Sequence, residues 1–139
     1  MCEMSTMGKP AIDYGDDEIR KEILERQRQG MWTPEQIVSL AKHFRLRPGM
    51  KLLDAGCGHD FSLRALGPYC LPGGRLIGLD RESELLVTAR ELSAKEGLGE
   101  FASFRVGDIF AMPFDDDSFD ITLCQTVFCH LDRPEVALD

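Results

Sequence analysis

The sequence predicts an α/β fold, a doubly wound parallel sheet with strands in the order 3-2-1-4. Two apolar strands carry most of that prediction. KLLDAGCGH at residues 51–59 runs apolar into an acid, Asp54, and then into Gly56 and Gly58. RLIGLD at residues 75–80 is again apolar and again ends in an acid, Asp80. Near-continuous apolar strands suit a sheet covered on both faces, and helical patterns between them put the strands in the parallel class. Right-handed crossovers give the order. The crevice at the carboxyl ends of the strands, where the order reverses, is the expected binding site.

The elements follow in order. Residues 1–15 are expected to be disordered. Residues 16–29 are charged and helical in pattern, with Ile19 and Ile23 one turn apart, Glu22 placed to pair with Arg26, and Gly30 closing the segment. Thr33 and Pro34 supply an N-cap and a proline at the first helical position. Ile37, Leu40, Ala41 and Phe44 then share one apolar face. Pro48 and Gly49 launch the first strand. After the glycine turn a helix is expected over residues 61–66, interrupted by Gly67 and Pro68. A helix over 82–96 follows the second strand, with Leu85, Ala89 and Leu92 on one face and Gly97 at its end. Residues 101–106 read as the third strand, 115–118 as a polar turn and 119–124 as the fourth strand. Residues 132–134 begin a further helix.

Composition narrows the function classes. The 139 residues suffice for one domain with a core, and 43% hydrophobic content is ordinary for a globular protein. A formal net charge of -8 does not suit a partner held through phosphates, so no nucleic acid is expected. No apolar run approaches the ~20 residues of a membrane span, and the first residues lack a signal-peptide core; the expectation is a cytoplasmic chain without a membrane partner. Cys2, Cys57, Cys70, Cys124 and Cys129 contain no CxxC pair. They are expected as free thiols, with no metal site. Cys57 and Cys124 read as packed small residues.

LDAGCG at 53–58, the acid at Asp80, VGD at 106–108 and MPFDDDSFD at 112–120 together resemble the class I S-adenosylmethionine-dependent methyltransferases, whose fold is Rossmann-like. Within them the chain is similar to the small-molecule group that includes the ubiquinone/menaquinone C-methyltransferases. The resemblance covers roughly residues 16–139, which makes this segment the cofactor-binding part of a methyltransferase domain. It implies methyl transfer to a small-molecule acceptor by in-line displacement, with S-adenosylmethionine as cofactor and S-adenosylhomocysteine as product.

The residue types suit that ligand. Its methionyl end carries an ammonium, a carboxylate and a sulfonium, and no phosphate. Glycines at 56 and 58, with Ala55 and Cys57 between and beside them, let backbone N–H groups approach a carboxylate at a helix N-terminus. Asp54 falls near the ammonium, where opposite charge favours both groups. Asp80 can accept from both ribose hydroxyls. By resemblance, Asp108 after Gly107 accepts from the adenine amino group, and the Ile109 N–H reaches a ring nitrogen. Arg81 offers a guanidinium for stacking there. Gln125 contributes backbone to the methionyl pocket. His130 is a candidate base, and no other catalytic residue is assigned.

Plainer readings stand beside these. Asp54 could serve a turn or cap, Asp108 could cap a turn, residues 115–117 read as a solvated loop and His59 as a polar turn residue. The rival dinucleotide fingerprint wants a third glycine where Phe61 stands. A rival from another class is a non-catalytic cofactor-binding module that needs a partner. Two departures from the methyltransferase pattern matter. Asp60 stands at the third alternate glycine and is expected to weaken cofactor binding unless it turns outward to cap the helix. The chain also ends at Asp139 within a helical pattern, so the expectation is truncation before a fifth strand, with strand 4 an open edge for self-association.

Overall fold

The computed structural model of the chain describes residues 18, 21, 22, 25, 26, 29, 30, 32–125, 127 and 131–138. The chain divides into two compact units, Met1–Thr33 and Pro34–Asp139. In the first, the described residues between Glu18 and Gly30 are helical. The expected pair forms there, with Arg26 Nη2 at 2.7 Å from Glu22 Oε1. Gly30 is itself helical, so it lies within the helix and not just past it.

The second unit opens with helix α1 (Pro34–His43), whose proline sits at the first position, where its missing N–H costs nothing. Strand β1 (Lys51–Ala55), helix α2 (Phe61–Leu66), strand β2 (Arg75–Asp80), helix α3 (Ser83–Lys95), strand β3 (Ala102–Val106) and strand β4 (Ile121–Leu123) follow. Short 3-10 turns occupy Gly67–Cys70, Ile109–Ala111 and Pro134–Leu138. The four strands are parallel in the order β3-β2-β1-β4, as the sequence predicts. Leu52, Leu53, Leu76 and Leu79 of the central strands and Leu63, Leu66 and Leu86 of the helices are at most 1% exposed. Each such leucine contributes on the order of 2 kcal/mol of burial, enough to make β1 and β2 the rigid centre of the unit.

Three expectations need adjustment. The inward face of α3 is centred on Leu86, Ala89 and Ser93, while Leu85 and Leu92 are half-buried. The helix is rotated to bury a serine, for a reason given by the site. Strand β4 is shorter than residues 119–124, because Phe119 packs edge-on against Phe114, ring centroids 5.0 Å apart, and leaves the ladder. The further helix at residue 132 is instead a 3-10 turn beginning at Pro134.

On the outer side of β3, Arg90 of α3 donates from Nη2 to the Phe104 carbonyl at 3.1 Å. That carbonyl faces away from β2, since Leu76 N–H bonds to the Phe101 oxygen and parallel-strand carbonyls alternate in direction. No helix among the described residues is long and apolar enough to cross a membrane.

Candidate functional site

The strand order reverses between β1 and β2 on one side and β4 on the other, and the carboxyl ends of the strands meet there. Asp54 is the fourth residue of β1, opposite Gly78 of β2 and Leu123 of β4, and it is buried. Asp80 ends β2, opposite Val106 of β3. Asp108 stands two residues past β3. The three acids named from sequence therefore lie along one sheet edge.

The glycine turn is built by the end of β2. Gly56 adopts φ +79°, a conformation that L side chains rarely take, and a Cβ there would fall 2.2 Å from Val127 Cγ2. With that reversal, the Gly56 and Cys57 N–H groups both donate to the Leu79 carbonyl, at 2.7 and 3.0 Å. Gly58, at φ +52°, points its N–H at Asp80 Oδ2, 2.9 Å away. The expectation that the glycine N–H groups face a ligand carboxylate is thus corrected. Here they are committed to β2, because the turn continues the β1–β2 ladder before the chain enters α2.

Asp80 is fixed from two sides. Its Oδ2 accepts from Gly58 N–H and its Oδ1 from Glu82 N–H at 3.0 Å. Each carboxylate oxygen has a second lone pair, so both can still accept one hydroxyl. Arg81 beside it is exposed. Gly107 N–H donates to the Asp80 carbonyl at 3.0 Å, which carries the β2 end into the next turn. Asp108 does cap that turn, its Oδ1 accepting from Phe110 N–H at 2.9 Å, and half-buried Ile109 opens it. Ala55 is buried at the end of β1. Gln125, just past β4, accepts through Oε1 from the Ser62 hydroxyl at 3.3 Å. His130 lies outside the described residues.

Cys57 packs with Leu86, Ala89 and Phe104 in the core. Burial, reinforced by Asp54, Asp60 and Asp80, pushes its thiol far above the ordinary cysteine range. It is a packing residue and not a nucleophile. Among the described residues no three His, Cys, Asp or Glu side chains gather as a metal site.

Asp60 does not turn outward. It is fully buried at φ 68°, makes no side-chain cap, and accepts through Oδ2 from the Ser93 hydroxyl of α3 at 3.0 Å. This bond is why α3 buries a serine. Arg64 and Glu96 join α2 to the end of α3 at 2.7 Å. Ser62, Ser93 and Val127 are neighbours of the site that sequence reasoning missed; two serines and a valine carry no motif, and only the fold brings them to the turn. A cavity of about 360 Å³ lies between α3 and β3, with Ser93 in its lining.

The donor set tests the cofactor. Asp54, Asp80 and Asp108 make an acceptor-rich rim, matched to a ligand that presents an ammonium, a ribose diol and an amino group. The residues present fit S-adenosylmethionine. The dinucleotide alternative gains no support, since Phe61 begins α2 where that fingerprint needs glycine.

Comparison with known proteins agrees. The family described as "Methyltransferase domain" matches residues 53–139. Cycloartenol-C-24-methyltransferase 1 of Oryza sativa subsp. japonica is 32% identical over 95 residues, covering 68% of this chain and 27% of that protein. A SAM-dependent methyltransferase from Aquifex aeolicus superposes with a TM-score of 0.73 at 26% identity, covering 89% of this chain and 64% of that one. A SAM-dependent methyltransferase from Geobacter sulfurreducens, solved in complex with S-adenosyl-L-homocysteine, gives 0.58 at 25% identity over 69% of this chain and 37% of that one. The chain spans between 26% and 33% of the length of the first three curated relatives. With the strand order, the glycine turn and the acid rim in place, the chain belongs to the methyltransferase domain family, within the class I S-adenosylmethionine-dependent methyltransferases.

Proposed function

We propose that this chain holds S-adenosylmethionine along the rim of Asp54, Asp80 and Asp108, for methyl transfer to a small-molecule acceptor at carbon. The observation that carries the reading is the Asp80 carboxylate, held by two backbone N–H groups at the end of β2 with acceptor capacity left on both oxygens.

S-adenosylmethionine, when bound, supplies a methyl group already activated by its sulfonium, for in-line displacement with S-adenosylhomocysteine as product. The chain's own residues orient and shelter. Asp80 accepts from the ribose hydroxyls, and its backbone bonds prepay the ordering of that carboxylate. Asp54, buried near the end of β1, stands for the ammonium. Asp108 keeps one oxygen on the Phe110 N–H and turns acceptor capacity toward the adenine side, with Ile109 and the Arg81 guanidinium flanking it. The Ser62–Gln125 bond holds the segment after β4 against α2, and so fixes the backbone of the methionyl pocket.

Carbon is favoured as acceptor because the rice relative is named for transfer to C-24, and the quinone-type group that the sequence resembles also methylates carbon. The net charge of -8 supports a small acceptor over a nucleic acid. Calorimetric titration with S-adenosylhomocysteine and, separately, NAD tests the reading. Heat with the first and none with the second is expected, and Asp80→Ala should remove it. Equal affinity in that variant overturns the site.

A further inference from the structure

The third alternate position of the glycine turn has an unusual occupant for its surroundings. Asp60 is 0% exposed, in the left-handed region, with its N–H donating to the Cys57 carbonyl at 2.8 Å and its carbonyl accepting from Arg64 N–H at 3.2 Å. Its side chain has one hydrogen bond, from Ser93 to Oδ2, and Oδ1 has none. The charged and titratable groups facing it come from three elements and the turn: Asp54 from β1, Arg64 from α2, Glu96 from the end of α3, and Cys57, a thiol held neutral. Arg64 is directed to Glu96 at 2.7 Å, and among the described residues Asp60 has no ion pair.

A carboxylate in that place would be a buried charge with one hydrogen bond and two acids nearby, a costly arrangement. A carboxylic acid would not. Burial first, then the charge of Asp54, lift its carboxyl to about 8, against the Ser93 bond and Arg64, which pull the other way.

We propose that Asp60 is a positioning residue for the cofactor turn, acting as a neutral carboxylic acid that ties the turn to α3 through Ser93 and keeps a second negative charge from the methionyl end of S-adenosylmethionine. The inference rests on the cofactor reading of the site. Loss of the Asp60 proton leaves a charge beside Asp54 with no access to water, so the turn must shift to hydrate it, and the cofactor carboxylate meets added repulsion. Cofactor affinity then falls as the solution becomes alkaline.

The test is calorimetric titration of S-adenosylhomocysteine into the chain across pH 6.5 to 9, for wild type, Asp60→Asn and Ser93→Ala. Wild-type affinity should drop about tenfold between pH 7 and pH 9, since binding then requires uptake of one proton. Asp60→Asn should lose that drop, retaining only the slope that the ligand's own amino group gives every variant. Ser93→Ala should move the drop to higher pH, because the lost hydroxyl favours the ionised form. A purely structural serine would leave the profile where it was. Identical pH slopes in wild type and Asp60→Asn overturn this inference and leave the proposed function standing. Should Asp60→Asn fail to fold, an unmoved profile in Ser93→Ala overturns the inference and an upward move supports it. No binding by wild type at any pH overturns both.

Discussion

Gly58 N–H and Asp80 Oδ2 lie 2.9 Å apart, and this bond joins the turn that follows β1 to the acid that ends β2. The same carboxylate also accepts from Glu82 N–H. One side chain thus sets the shape of the turn and offers the acceptors for a ribose, so the two roles must fail together.

Asp80→Asn separates charge from shape only in part. An amide has one acceptor oxygen, so one of the two backbone donors would face an NH2 group. A loss of about 1–3 kcal/mol of stability is expected, read by chemical denaturation, together with weaker binding of S-adenosylhomocysteine. A variant as stable as wild type would show that the two N–H bonds contribute nothing to the turn.

Gly56→Ala meets two obstacles, the positive φ and the Val127 methyl at 2.2 Å. Together they should cost about 2–4 kcal/mol. Adding Val127→Ala relieves the contact and leaves the backbone strain, so the double variant should recover part of the lost thermal stability. Full recovery would mean the backbone conformation there carries no penalty.

Glu96→Gln takes the negative charge from a carboxylate that a buried guanidinium donates to, with the Arg64 side chain at 5% exposure and the Glu96 side chain at 45%. Solvent at the glutamate end screens the pair, which limits the expected loss to about 1–2 kcal/mol. Urea denaturation reads it directly, and a loss below a few tenths would show that the Glu96 charge adds little to the pair.

Stability should also depend on pH through Asp60. Its carboxyl rises from an ordinary 3.8 to about 8 on folding, with burial the largest cause and Asp54 next. Between these values the folded chain holds a proton that the unfolded chain has released. Stability therefore falls as pH rises from about 4 to about 8 and is level above, a change on the order of a few kcal/mol. Asp60→Asn should remove that slope in thermal unfolding measured across the range. A slope unchanged by the substitution would assign the pH dependence to other groups.

The central strands were legible because their signal is local: short, largely apolar runs at 51–55 and 75–80, the first leading into a glycine turn and the second ending in an acid. Strand order followed from handedness. The positions of Asp54, Asp80 and Asp108 at one edge were legible for the same reason. Ser93 was not, because hydrophobic periodicity reads a buried serine as solvent-facing and so turned α3 toward Leu85 and Leu92. Its partner, Asp60, is 33 residues away, and nothing local announces the bond. Asp60 reads from sequence as weakening cofactor binding unless it turns outward to cap the helix, and it does not turn outward. Its inward turn was not legible, because the hydroxyl that donates to it lies on α3. The uses of the glycine N–H groups were also hidden, since they depend on where the Leu79 carbonyl lies across the ladder.

The guanidinium of Arg90 occupies the outward Phe104 carbonyl on the β3 flank. Among the described residues β4 pairs with β1 alone, so unspent backbone capacity remains on the opposite flank. The two flanks of the sheet thus differ in kind: one outward carbonyl of β3 is taken up by a side chain, and β4 meets a strand on its β1 side only, among the described residues.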